Sequence, residues 1–201
     1  MTLLVLARGL IGRPVVTLHG DDVAQIKDVV VAPSTRSVLG FTLAGRALLS
    51  GPMREALPWG HVHSVGRHAV MILGSEALTT SPGFDTGTGI GTDDGVIGEV
   101  VLTRSGTALG QVTDLVIDAA PDDDRSADDD RAAVVVGFEI ITSDALPPAG
   151  RRALIPREHT PAPPGETIIV TDRITDYLAE DLAGFATAVT SWQASAHKKA
   201  N

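Results

Sequence analysis

Two histidines separated by a single residue are the side chains best spaced for chemistry in this sequence. In an extended segment, His61-Val62-His63 directs both imidazoles to the same side, and two imidazoles at that spacing can ligate zinc. No Asp or Glu stands beside the pair to complete a ligand set. We name His61 and His63 as candidate metal ligands, and we favour the alternative that they belong to a polar loop or strand face. The sequence therefore predicts no cofactor.

An acidic run suggests calcium but lacks the spacing of a calcium loop. Its carboxylates are concentrated in 122–124 and 128–130. A loop of the EF-hand type starting at Asp122 needs glycine at its sixth position and glutamate at its twelfth, where this chain has Ala127 and Ala133. Like charges in such a run repel one another and stay solvated. We predict a mobile acidic loop.

Nucleophilic and phosphate-binding motifs are also incomplete. The alternating glycines of 87–91 lack the preceding strand and following helix of a phosphate loop. Ser195 and Lys198 match a Ser-x-x-Lys pair, but they lie at a terminus, where chains fray. The sequence contains no cysteine and no G-x-S-x-G motif. These observations predict no catalytic residues, and we expect that the protein is not an enzyme.

Charge and hydropathy narrow the choice of partners. The formal net charge is −9, from 16 Lys and Arg against 25 Asp and Glu. A surface that binds phosphates needs an excess of positive charge, so we expect neither nucleic acid nor an anionic membrane surface as a partner. The uncharged stretch 182–196 is shorter than the roughly 20 apolar residues of a membrane span. We expect a cytoplasmic protein without a membrane span.

An internal repeat accounts for most of the chain. Residues 10–31 align with residues 96–117 at a constant offset of 86, and later blocks align at offsets of 97 and 98. The aligned identities include Gly12 with Gly98, Gly20 with Gly106, Gln25 with Gln111, Asp28 with Asp114, Phe41 with Phe138, Pro58 with Pro156 and His61 with His159. The offset grows because the second copy contains the acidic insertion. Glycines rarely coincide by accident, so the sequence predicts two copies of one unit.

The repeat divides the chain into four parts. We predict a first barrel over 1–80, a glycine-rich flexible linker over 81–94, a second barrel over 95–174 with the insertion 121–131, and a C-terminal helix and tail over 175–201.

Each copy is predicted to contain five or six short strands. In the strand 38–44, alternation is expected to place Leu39, Phe41 and Leu43 on one buried face. So few short strands cannot form a large open sheet, and closing them into a barrel avoids exposed edges. The predicted fold class is mainly β, with two tandem small β-barrels and a C-terminal α-helix.

The C-terminal helix is predicted over about residues 176–197. Its apolar residues recur every three or four positions, which makes one stripe. The stripe consists of Leu178, Leu182, Phe185, Val189 and Trp192. A stripe this apolar has to be buried, so these five residues are the candidate partner-binding residues. The stripe could pack against a barrel of the same chain, which leaves the protein a monomer, or against a second copy, which makes it a homodimer. We favour packing within the chain.

The ordered set of segments shared by the two copies resembles the PRC-barrel family. The first copy carries Leu10–Val15, Gly20, Ile26–Val31, Gly40-Phe41, Leu57–Trp59 with Val62, and Arg67–Val70; the second carries Val96–Gly98, Gly106 and Gly110–Asp114. One departure is Ala24, which stands where the second copy keeps Gly110. The resemblance implies a small β-barrel that acts by binding proteins, with no shared catalytic residues to transfer.

The resemblance and the missing catalytic motifs favour a non-catalytic protein-binding adaptor or scaffold. A small-molecule-binding or enzymatic protein that uses the cleft between the barrels is an alternative. A factor associated with RNA or the ribosome is another, although the acidic charge opposes it.

Overall fold

The chain forms strands throughout its length and a helix at its C-terminal end. The computed structural model describes residues 3–32, 37–46, 51–80, 88–89, 96–120, 133–157 and 167–197. The strands in these residues are β1 (Leu4–Leu6), β2 (Pro14–Thr17), β3 (Asp22–Val31), β4 (Ser37–Ala44), β5 (Pro52–Pro58), β6 (Val62–Val65), β7 (Val70–Ile72), β8 (Thr88–Gly89), β9 (Val100–Thr103), β10 (Ala108–Asp118), β11 (Ala133–Thr142), β12 (Arg152–Pro156) and β13 (Thr167–Val170). The α-helix, α1, is Leu182–His197. The predicted mainly-β class with a C-terminal helix is confirmed.

Strands β2 to β7, which we call the first region, form a curled sheet in the order β5-β4-β3-β2-β7-β6. Strands β2 and β3 make the predicted hairpin, whose turn contains Gly20 at a φ of 96°. Such a φ is readily adopted only by glycine. Strand β7 returns to pair with β2 in parallel, and the 3₁₀ turn Trp59–His61 leads from β5 into β6.

We call strands β9 to β13 the second region. Residues that the sequence alignment equates pair with equivalent partners in the first and second regions. The matching ladder pairs are Val15↔Ala24 with Val101↔Gly110, Val29↔Phe41 with Leu115↔Phe138, Phe41↔Leu57 with Phe138↔Ile155, and Val15↔Val70 with Val101↔Ile168. The register also shifts at the same place, between Ile26 and Asp28 in β3 and between Val112 and Asp114 in β10.

Short strands cross between the two regions. Strand β1 pairs with β10 of the second region, and β8 pairs with β3 of the first. Strand β8 lies within the segment 81–94, which was predicted to be a flexible linker; the rest of that segment lies outside the described residues, as do the insertion 121–131 and His159. The strand that precedes the first region therefore pairs with the second region, and the strand that precedes the second region pairs with the first.

The two regions also meet directly, where β4 pairs with β11. Ser37 is opposite Val134 in this antiparallel ladder. The offset of 97 also equates Ser37 with Val134 in sequence. When equivalent residues pair with each other, the contact is of the two-fold, self-complementary kind. Residues that the sequence alignment equates therefore face each other at this ladder.

The core is shared by both regions and is mostly aliphatic. Phe41 and Phe138 lie at matching positions within it and are 0% and 1% exposed. The alternation predicted for β4 was wrong at Leu39: Val38 and Phe41 are buried, whereas Leu39 is only partly buried. The register shifts opposite this residue, with Val31 facing Val38 and Val30 facing Gly40. Leu39 is therefore the extra residue of a β-bulge, which moves its side chain to the other face.

Helix α1 begins six residues later than predicted, at Leu182. The preceding residues form the 3₁₀ segment Asp172–Tyr177 and a bridge between Ala179 and Leu154. Asp181 then accepts a hydrogen bond from the N–H of Gly184 at 2.7 Å, as an N-cap does. Leu178 therefore precedes the helix instead of joining its stripe. No helix among the described residues is long and apolar enough to cross a membrane.

Candidate functional site

The two candidate metal ligands lie in different elements. His61 closes the 3₁₀ turn and its Nδ1 is 2.8 Å from the carbonyl oxygen of Ala77, while His63 is exposed on β6. Within the described part of the chain, no group of three or more His, Asp or Glu side chains is placed to hold a metal. The hydrogen bond to Ala77 gives His61 a role in joining the turn to the segment after β7.

The apolar stripe predicted for the helix packs against other parts of the same chain. Phe185 and Val189 are 0% and 8% exposed and pack with Val116 and Leu154 of the second region. Leu182 joins this cluster from the rim. Leu178 and Trp192 pack against the main core instead. The five candidate partner-binding residues therefore meet two different parts of their own chain.

Because Gly137 has no side chain, helix α1 packs close to the sheet at this position. A Cβ atom at this position would overlap the ring of Phe185 and approach the carbonyl oxygen of Ile155 to 2.5 Å. Leu4 and Leu6 of β1 pack in the same cluster. Helix α1 therefore covers both the second region and the strand that crosses to it.

A buried carboxylate holds the chain where β1 ends. Asp114 is 3% exposed and accepts hydrogen bonds from the N–H groups of Arg8, at 3.0 and 3.2 Å, and of Leu115, at 2.7 Å. Burial raises the pKa of Asp114 above its ordinary value, and the nearby Glu139 carboxylate adds to this, while the two N–H groups oppose it. Asp114 thus fixes the crossing segment to the second region.

Glu139 lies opposite Asp114 in the ladder and is 6% exposed. Its carboxylate accepts a hydrogen bond from the Thr113 hydroxyl at 2.9 Å and is 3.4 Å from a guanidinium nitrogen of Arg152. These contacts join β10, β11 and β12 through the side chains of Thr113, Glu139 and Arg152.

A hydroxyl–carboxylate contact closes one end of the second region. The Ser105 hydroxyl donates to Asp172, and Thr103 Oγ1 is 2.9 Å from Ser105 Oγ. The Ser105 hydrogen bond is the main reason that the pKa of Asp172 lies below its ordinary value. The contact fastens the 3₁₀ segment Asp172–Tyr177 to the turn between β9 and β10.

The corresponding end of the first region is apolar and open. Leu18 and Leu73 are 51% and 60% exposed, and they are held side by side because the Leu18 N–H donates to the Ile72 carbonyl at 2.9 Å. The aligned residues of the second region are Arg104 and Thr171, and the same hydrogen bond recurs from the Arg104 N–H to Val170. The backbone is thus the same at both ends, but the first region exposes two leucines.

Sequence reasoning missed both Asp114 and this leucine pair. The identity of Asp28 and Asp114 in the repeat was a usable signal for the first. For the leucine pair, the signal was that Leu18 and Leu73 align with the polar residues Arg104 and Thr171.

The fold is a curled β-sheet, and the polar contacts described above hold segments of its backbone together. Residues 4–78 match the family model of the PRC-barrel domain, which covers the first region together with β1. The family resemblance of this part of the chain is therefore confirmed. A search of the curated proteins finds no match to the chain.

Proposed function

We propose that this protein is a non-catalytic protein-binding scaffold, and that residues 95–174 are a second copy of the PRC-type barrel. The equal ladder registers of the two regions, their matching register shifts and the pairing of Ser37 with Val134 support a tandem arrangement about an internal two-fold axis. The crossing strands β1 and β8 join the copies into one body, which suits a scaffold that presents two related surfaces in a defined orientation.

The observation that carries the binding role is the pair of exposed leucines, Leu18 and Leu73, on the first region. Apolar side chains grouped on a surface are typical of places where proteins meet. The second region places Arg104 and Thr171 at the same backbone positions, so the fold itself does not require leucine there. We therefore assign the leucines to recognition. We also place the protein in the cytoplasm, because a sequence without cysteine suits a reducing compartment.

Affinity capture tests the scaffold function. The tagged full-length chain is expected to enrich a defined protein from cells of its source at a reproducible stoichiometry, as measured by quantitative mass spectrometry against a tag-only control. If no protein is enriched, but a neutral metabolite raises the melting temperature of the purified chain, the protein is a small-molecule binder and the scaffold proposal is wrong.

A further inference from the structure

The part of the second region that holds Phe185 has a counterpart on the first region. Gly137, whose missing side chain leaves room for the Phe185 ring, faces Val116 on one neighbouring strand and a proline on the other. Gly40 faces Val30 and a proline in the same way. The sequence alignment equates the two glycines at an offset of 97 and the two valines at an offset of 86. The strand pairings around Gly40 are therefore those that surround the Phe185 site.

The outward side chains beside Gly40 are buried. The residues before and after Val30 belong to the main core, so the side chain of Val30 points to the opposite face of the sheet. Val30 is 3% exposed and Ala56 is 7% exposed. Their counterparts, Val116 and Leu154, are buried because they pack with helix α1, so another segment has to cover the first region. We call Val30, Gly40 and Ala56 the Gly40 surface.

A second phenylalanine occurs in the sequence surroundings of Phe185. The stretch Gly83-Phe84-Asp85-Thr86 repeats Gly184-Phe185-Ala186-Thr187 with one difference. Each stretch follows a bridge to the same place in its sheet, made by Thr79 in the first region and by Ala179 in the second. The phenylalanine comes five residues after the first bridge and six residues after the second. Residues 81–87 lie outside the described residues, so this match is one of sequence.

Contacts on both sides of Phe84 keep it close to the Gly40 surface. Before it, Thr79 and Ala56 exchange backbone hydrogen bonds of 2.9 and 3.0 Å. After it, Thr88 pairs with Val31 of β3. Thr88 follows Phe84 by four residues, which span about 14 Å at most. Phe84 is therefore held near β3 and β5, two of the strands that form this surface.

We propose that the Phe84 ring packs over Gly40 and covers the Gly40 surface, as Phe185 packs over Gly137. An aromatic ring suits this place because it fills the space above a glycine with apolar area. The short connections on both sides favour the phenylalanine of the same chain over that of a second copy. The segment that was predicted to be a flexible linker is then a packed part of the first region. This inference rests on the proposed equivalence of the two regions.

Photo-crosslinking of the full-length chain tests where the ring lies. Benzoylphenylalanine in place of Phe84 keeps an aromatic side chain and should leave the fold intact. Illumination is expected to join residue 84 to a peptide of β3, β4 or β5 of the same chain, as located by mass spectrometry. Position 86 provides the control, because Thr86 aligns with Thr187, which is exposed on α1. The same photoreactive residue there should give far less of these adducts.

Thermal unfolding gives an independent measurement. Phe84→Ala should lower the melting temperature by about 6–20 °C, which is the range expected for a buried phenylalanine in a chain of this size. The matched variant Thr86→Ala should lower it by less than about 2 °C. Light scattering should give the same mass for both variants, because the contact is made within one chain.

Equal adduct yields from positions 84 and 86 would overturn the proposal. A melting-temperature shift for Phe84→Ala no larger than that for Thr86→Ala would also overturn it, because the ring would then not be buried. Adducts that join two chains would show that a second copy covers the Gly40 surface, which contradicts packing within the chain. The affinity capture uses the unaltered chain, so it decides the scaffold function separately from each of these results.

Discussion

Removing the ring of Phe185 tests how firmly helix α1 is fastened to the second region. The side chain is 0% exposed and fills the space left by Gly137. Truncating a buried Phe to Ala costs about 3–5 kcal/mol. Each kcal/mol lowers the melting temperature by about 2–4 °C in chains of this size, so Phe185→Ala should lower it by about 6–20 °C. The mass in solution should not change, because the contact is made within one chain.

Differential scanning calorimetry and light scattering measure these two quantities. Thr187→Ala is the control, because Thr187 is exposed on the same helix and its loss should shift the melting temperature by less than about 2 °C. A shift for Phe185→Ala no larger than that of the control would show that the helix contributes little to stability. If light scattering shows a dimer that Phe185→Ala converts to a stable monomer, the helix joins two chains instead of packing within one.

Three further predictions concern residues that hold the backbone. The free energy of unfolding of Asp114→Asn, relative to the unaltered protein, should be highest at neutral pH, because burial raises the pKa of the carboxyl that the amide replaces. This relative gain should shrink as the pH falls through that raised pKa, because the native carboxyl then becomes protonated. Urea unfolding at several pH values measures it, and a gain that does not vary with pH would contradict it. Ser105→Ala should move the pKa of Asp172 back up toward its ordinary value in a carboxyl NMR titration; an unchanged pKa would rule out the hydroxyl as the cause. Gly110→Ala should lower the free energy of unfolding by about 1–3 kcal/mol, because Gly110 has a φ of 156° and a Cβ there would overlap Ile141. Ala24→Gly at the equivalent ladder position should lower it by at most about 1 kcal/mol. Chemical denaturation measures both changes, and equal losses would refute this.

The sequence alignment of the two regions made the strand positions predictable. Alignment of Phe41 with Phe138 placed them at the same ladder position, because neighbouring hairpin strands are paired by local sequence and turn geometry. The hairpin around Gly20 was predictable for the same reason. Alternation failed at Leu39, since a bulge inserts one residue without a distinctive sequence signal.

Contacts made at long range were beyond sequence reasoning. Strand β1 has three residues, and its pairing with β10 depends on Asp114 and on the covering helix. The helix begins at Leu182 because Ala179 is bonded to Leu154, a contact that residue spacing does not reveal. The exposure of Leu18 and Leu73 was missed because exposure depends on what packs against a strand, and apolar residues in a strand are usually buried.

Photo-crosslinking inside cells tests the proposed binding role most directly. A photoreactive amino acid is placed at position 18, next to the exposed Leu73, and, in a separate control variant, at position 169, where the second region exposes an isoleucine. The scaffold account predicts a defined protein adduct from position 18 and none from position 169. Adducts of equal yield from both positions, or none from either, would contradict it.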